Sequence, residues 1–181
     1  DNLAQGGMMR LLIGSLAVTL ALALAAGWWF WQSPANDDAA TLAMDSPELL
    51  ASIASGQVLY AQSCAACHGA NLEGQPNWQS PGPDGLPLAP PHDESGHTFH
   101  HGDGFLFDYI ALGGQETLSR MGVEFESGMP AFGDQLSEAQ IWDILTFIKS
   151  TWPENIRAAQ VAQTAAEQVA QTEAEQAENG D

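Results

Sequence analysis

Apolar residues in this chain fall into one long unbroken run followed by several short periodic stretches. Residues 11–31 carry no charge and form a 21-residue apolar run. As a helix this run would span roughly 31 Å, the thickness of a bilayer's hydrocarbon core. It closes on Trp28, Trp29, Phe30 and Trp31, side chains suited to the headgroup layer. The pattern predicts a transmembrane helix. Ala21-Leu22-Ala23 and Ala23-Leu24-Ala25 have the small-residue spacing of signal-peptide cleavage sites, but cleavage there would leave a chain opening on aromatics, so the run reads as a retained anchor. Arg10 precedes it. Asp37, Asp38, Asp45 and Glu48 follow it, with no basic residue before Arg120. That asymmetry predicts a cytoplasmic segment at 1–10 and the remainder of the chain outside.

Residues 32–45 are a polar linker containing Ala and Asp. As a coil they have a root-mean-square span of roughly 20 Å and reach at most about 50 Å. The segment 46–153 carries the periodic stretches of a folded domain. Ser46-Pro47-Glu48 is a helix start, with Ser as N-cap, Pro in the first turn and an acid on the helix dipole. Leu49, Ile53, Gly56 and Tyr60 then share one face. A mid-helix glycine costs up to about 1 kcal/mol against alanine, so Gly56 predicts a second helix crossing close by. Residues 70–102 are rich in Gly, Pro, Asn and Asp and read as a long loop, of the kind that wraps something. Residues 103–112 read as a short helix stopped at Gly113-Gly114, and 115–135 as loop. Ser137-Glu138-Ala139-Gln140 is a capping box opening a last helix. Ile141, Leu145 and Ile148 line one face of that helix, and Trp152-Pro153 ends it.

Residues 154–181 form an acidic tail rich in Ala, Gln and Glu, with a near-exact eight-residue repeat, V-A-Q-T-A-A-E-Q then V-A-Q-T-E-A-E-Q. Eight does not match a heptad, and valine is its only large apolar residue type. The expectation is a solvated tail of partial helicity; docking on a partner subunit is the sharper reading. Over the whole chain, four Lys and Arg stand against 23 Asp and Glu, a formal charge of −19. This excludes nucleic acid as a partner, which needs a cationic surface. It also argues against docking on anionic lipid through a basic patch, and it steers the protein toward basic partners.

The chain's two cysteines both lie in Cys64-Ala65-Ala66-Cys67-His68, a C-x-x-C-H haem-attachment motif. Two thiols three residues apart reach the two vinyl groups on one porphyrin edge, and the adjacent imidazole meets the iron. A redox dithiol would sit in a thioredoxin-like βαβ context, which the pattern lacks. A zinc site would need a second pair of ligands, available only from the histidines at 92–101. For the opposite axial position the chain offers Met121 and Met129 after the motif, and Met129 lies in Gly128-Met129-Pro130-Ala131-Phe132, 61 residues after His68.

In C-A-A-C-H, G-M-P-A-F and the closing I-W-D-I-L-T-F-I-K-S, the chain resembles the class I cytochromes c over about residues 56–153, and with the anchor it is similar to the membrane-anchored bacterial monohaem members. The resemblance implies an all-α class I cytochrome c fold, here preceded by a single transmembrane helix. It implies one covalent haem c, held by Cys64 and Cys67 and ligated by His68 and Met129. It also implies a crossing of terminal helices at Gly56 and Tyr60 against the helix of Leu145 and Ile148, and a proline carbonyl, from Pro90 or Pro91, receiving the His68 ring N–H. Met121 is left to packing. A His/Met pair fills both axial positions and favours electron exchange over catalysis.

Two departures stand out. Lys149 is the only lysine where familiar members carry a lysine ring, so electrostatic docking must run with reversed sign. Residues 92–101 hold His92, His97, His100 and His101 with Asp93 and Glu94, donor types that suit copper or zinc. The plainer reading has them hydrogen-bonding haem propionates or loop carbonyls, or solvated. The resemblance thus implies an electron carrier rather than an enzyme. The carrier would be anchored in the bacterial inner membrane with its haem domain in the periplasm. It would take electrons from a quinol-oxidising bc1-type complex to a terminal oxidase or photosynthetic reaction centre, as a mobile carrier or a bound subunit. The alternative is a subunit of a redox or metal-handling enzyme with a second metal in the histidine loop.

Overall fold

The computed structural model describes residues 46–179; the apolar run at 11–31 and the linker at 32–45 lie outside them. Among the described residues no helix is long and apolar enough to cross a membrane. These residues form helices and loops, with one antiparallel bridge between Pro81 and Pro87 as the only β-type pairing among them.

Helix α1, Pro47–Ser63, starts where the sequence places it, with Ser46 Oγ accepting the Leu49 N–H at 3.2 Å. A single turn, α2 at Ala65–His68, follows. A long loop containing a 3-10 turn at Thr98–His100 leads to α3, Asp103–Ala111. Helix α5, Glu138–Ser150, opens on the expected capping box: Ser137 Oγ accepts the Gln140 N–H, and Gln140 Oε1 accepts the Ser137 N–H at 2.9 Å.

The core is built where α1 and α5 cross. Tyr60, Ile141, Ile144, Leu145, Ile148 and Trp152 are all buried to 2 % exposure or less. Gly56 lies at the closest approach. A Cβ there would stand 1.9 Å from the Asp143 carbonyl oxygen and 2.9 Å from Phe147 Cβ, so the crossing excludes any side chain. Tyr60 packs on Phe147 one turn further along, with ring centroids 5.5 Å apart.

Two elements differ from the expectation. Residues 115–135 are not all loop, because α4, Gly114–Arg120, occupies their start. The Gly113-Gly114 pair reads as a stop for α3, yet Gly113 (φ 83°) also turns the chain directly into a new helix. Thr117 Oγ1 locks that turn by donating to the Gly113 and Asp108 carbonyls at 2.9 and 3.0 Å, and Arg120 pairs with Glu116 at 2.8 Å.

The tail is the second. It is a continuous helix, α6 at Glu154–Asn179, and its first half is seated on the domain rather than solvated. Gln160 is 1 % exposed. Its amide donates to Asp103 Oδ1 at 2.7 Å and to the His101 carbonyl at 3.2 Å. Thr164 Oγ1 accepts the Asp103 N–H at 3.1 Å, and Glu167 Oε1 accepts the Gly102 N–H at 2.8 Å. Gly102, the N-cap of α3, has no side chain to cap its own helix, and α6 supplies the acceptors instead. A Cβ on Gly102 would stand 2.2 Å from Glu167 Oε2. Apart from Ile156, which packs against the core, the contact is polar, so a search for large apolar residues does not find it. Val161 and Val169, the large residues of the repeat, are exposed.

Gly56→Ala is expected to cost about 2 kcal/mol or more by overpacking the crossing, read as a lowered midpoint in denaturant unfolding with an unchanged slope. Gln160→Ala removes a donor from the Asp103 carboxylate and is expected to cost about 2 kcal/mol by the same measurement.

Candidate haem-binding site

The attachment motif sits at the junction of α1 and α2. Cys64 ends α1, its N–H bonded to the Tyr60 carbonyl at 2.9 Å, and its own carbonyl accepts the N–H of Cys67 and His68 at 3.1 and 2.9 Å. One helical turn therefore fixes all three functional residues. Cys64 and His68 are buried, at 5 % and 6 % exposure, and Cys67 is exposed. Gly69 (φ 82°) then reverses the chain, and the Gly74 N–H returns to the His68 carbonyl at 2.8 Å.

The proline left open by the sequence is Pro90. His68 Nδ1–H donates to its carbonyl at 2.8 Å, whereas the Pro91 carbonyl accepts from Thr98 Oγ1 at 3.4 Å. A carbonyl can only accept, so Nδ1 carries the ring proton and Nε2 keeps its lone pair for a metal. Burial lowers the pKa of His68, with the Pro90 bond opposing, which keeps the ring neutral and able to ligate. Glycines let the loop close on this proline pair. A Cβ on Gly74 would lie 2.5 Å from Pro91 N, and one on Gly96 would lie 2.0 Å from the Pro91 carbonyl oxygen.

Burial, then the neighbouring Cys67, pushes the Cys64 thiol up to about 11. A redox-active dithiol needs the opposite shift, so Cys64 is poorly suited to disulfide exchange.

Met129 is partly buried against the core, while Met121 is 59 % exposed. The loop carrying Met129 is tied down at several points. Its N–H donates to Ser127 Oγ at 3.3 Å, and its carbonyl accepts the Gly114 N–H at 3.0 Å. Tyr109 Oη and Ser127 Oγ are 2.8 Å apart, and the Ser127 N–H donates to Gln115 Oε1 at 3.1 Å. The N–H groups of Phe132 and Gly133 donate to the Ile110 and Ala111 carbonyls at the end of α3. Gly114 admits this packing, because a Cβ there would stand 2.0 Å from Ser127 Oγ. The roles of Gln115, Ser127 and Tyr109 carried no motif in the sequence.

The histidine loop forms no metal cluster, although His97 and His101 meet edge to face at 5.6 Å. His97 stacks on Trp78 at 5.4 Å, His100 packs on Phe99 at 4.5 Å and His101 stacks on Phe105 at 4.4 Å. Among the described residues no group of three or more His, Cys, Asp or Glu side chains stands where it would hold a metal ion. His92 has a ring partner that the other three lack. Its ring lies face to face on that of His68, centroids 4.0 Å apart and planes 22° apart. Burial, then the neighbouring His68 and His97, holds its pKa well below the usual histidine range, so it is neutral. A histidine directly after Pro90-Pro91 was the available signal, and it does not distinguish stacking from exposure.

These residues fit haem c: two thiols on one turn, a neutral buried imidazole with a bare Nε2, and a thioether on a separately braced loop. A family model described as Cytochrome c matches residues 53–152. No curated protein and no solved structure matches the chain. The family binds haem c covalently, and Cys64 and Cys67 fit its attachment pattern.

Replacing both Cys64 and Cys67 with alanine is expected to abolish the haem stain that the polypeptide keeps on a denaturing gel. A single replacement should leave one thioether and shift the pyridine haemochrome band.

Proposed function

The chain belongs to the cytochrome c family, and on that premise we propose that it is a membrane-tethered monohaem carrier of single electrons. It takes them from a quinol-oxidising, bc1-type complex and passes them to a terminal oxidase or a photosynthetic reaction centre. The carrying observation is that the chain offers two side chains able to ligate iron, His68 and Met129, from separately braced positions. Haem, when bound, supplies the one-electron iron couple. Pro90 orients the His68 imidazole, and the ties from Ser127, Gly114 and the end of α3 present Met129. Were haem bound with His68 and Met129 as its ligands, no position at the iron would be left for a substrate.

The surface supports a basic partner. All three cations of the described residues are engaged within the chain: Arg120 by Glu116, Lys149 by both oxygens of Asp103 at 2.8 Å, and Arg157 by the Trp152 carbonyl. What remains for docking is acidic, so recognition runs with negative charge on this side. The anchor at 11–31 and the linker at 32–45 support a haem domain held in the periplasm, close to the inner membrane. Confinement of this kind raises effective concentration and reduces the need for strong docking.

Gentle detergent extraction followed through the haem band tests the assignment of partners. Co-purification of a quinol-oxidising complex, an oxidase or a reaction centre is the expected result. Recovery of the chain in the aqueous phase without detergent would overturn the tether. The ferric protein should show the weak near-infrared band of methionine ligation, lost on Met129→Ala together with a gain of carbon monoxide binding in the ferrous form. Persistence of the band in that variant would transfer the ligand role to Met121. Metal analysis should return one iron and no stoichiometric copper or zinc.

A further inference from the structure

The Pro90 bond restrains one edge of the His68 ring, but a single hydrogen bond leaves rotation about Cβ–Cγ soft, because that torsion has broad wells. A flat neighbour on the ring's face removes the remaining freedom, and His92 is placed to be that neighbour. Its ring lies 4.0 Å from His68, with 22° between the planes. Its own position is fixed by three other contacts. The His92 N–H donates to the Leu72 carbonyl at 2.8 Å. The His92 carbonyl accepts from Nε1–H of Trp152, a residue 1 % exposed, at 2.7 Å. Tyr60 meets the ring edge-on at 5.9 Å.

His92 Nδ1 is buried and has no hydrogen-bond partner among the described residues. Leaving such a nitrogen unpaired is unfavourable, so this histidine does not hold its place through a bond made by Nδ1. What it offers His68 is its face.

We propose that His92 is a positioning residue for the axial imidazole, fixing the rotation of the His68 ring by face-to-face stacking. The proposal rests on the reading of His68 as an iron ligand. Groups outside the first ligand shell set ligand orientation and so tune the metal. The plane of an axial imidazole decides which of two nearly equivalent iron d orbitals holds the unpaired electron in the low-spin ferric state. Rotation of His68 is therefore visible spectroscopically without any change of ligand.

The test uses the haem-loaded chain with His92→Phe and His92→Leu. It compares the principal g values of the ferric protein and the order of its hyperfine-shifted haem methyl proton resonances. Phenylalanine keeps a flat face, and the unmodified pattern is expected. Leucine fills similar volume without one, and the g values should shift and the methyl order change while the near-infrared methionine band is retained. An unmodified pattern in His92→Leu overturns the proposal, as does a change in His92→Phe as large as that in His92→Leu. If the leucine variant does not load haem, the phenylalanine variant alone decides, by keeping or losing the unmodified pattern. Failure of the ligand reading looks different, because the unmodified protein would then lack a low-spin histidine-ligated spectrum altogether.

Discussion

The contact between Gly56 and the Asp143 carbonyl sets the spacing of everything that surrounds the attachment motif. Because no side chain intervenes, α1 and α5 meet at backbone distance, and their far ends are brought into register. The end of α1 carries Cys64 and, one turn later, His68. The end of α5 carries Trp152. From there the indole N–H holds the His92 backbone, and the His92 ring lies on His68. A glycine twelve residues before His68 thus reaches it by two routes, along α1 directly and through α5, Trp152 and His92.

Electrostatics divides the molecule in a simple way. The few cations of the described residues are used internally, and the one partly buried pair, Lys149 with Asp103, sits where α3, α5 and α6 meet. An ion pair here is worth having only because its remaining hydrogen-bonding capacity is met, and the Gln160 amide meets it. The surface charge of the described residues is left predominantly negative.

The sequence made the chemistry more legible than the architecture around it. C-x-x-C-H, the capping box at Ser137 and the N-cap at Ser46 are short, local and governed by covalent spacing, and each stands in the structure where the residues placed it. Gly56 was readable because a mid-helix glycine needs a reason. Helix α4 was hidden by the glycine pair that begins it, since a stop signal for one helix is also a start signal for the next. The docking of α6 was hidden because its buried residue is a glutamine, and hydrophobic periodicity is blind to a helix held by amide and hydroxyl groups. The His92–His68 stack joins residues 24 apart through a loop whose path no local pattern specifies.

The borrowed cap on α3 has a consequence for how the molecule opens. At one end of α3, Thr164 and Glu167 hold the first N–H groups; at the other, the Ile110 and Ala111 carbonyls hold Phe132 and Gly133, next to the methionine loop. A nine-residue helix has little stability of its own, so its two ends do not loosen independently. Undocking of the C-terminal helix and loosening of the Met129 loop are thereby coupled through α3. The amides of Phe132 and Gly133 are in this way tied to those of Gly102 and Asp103 across the length of one short helix.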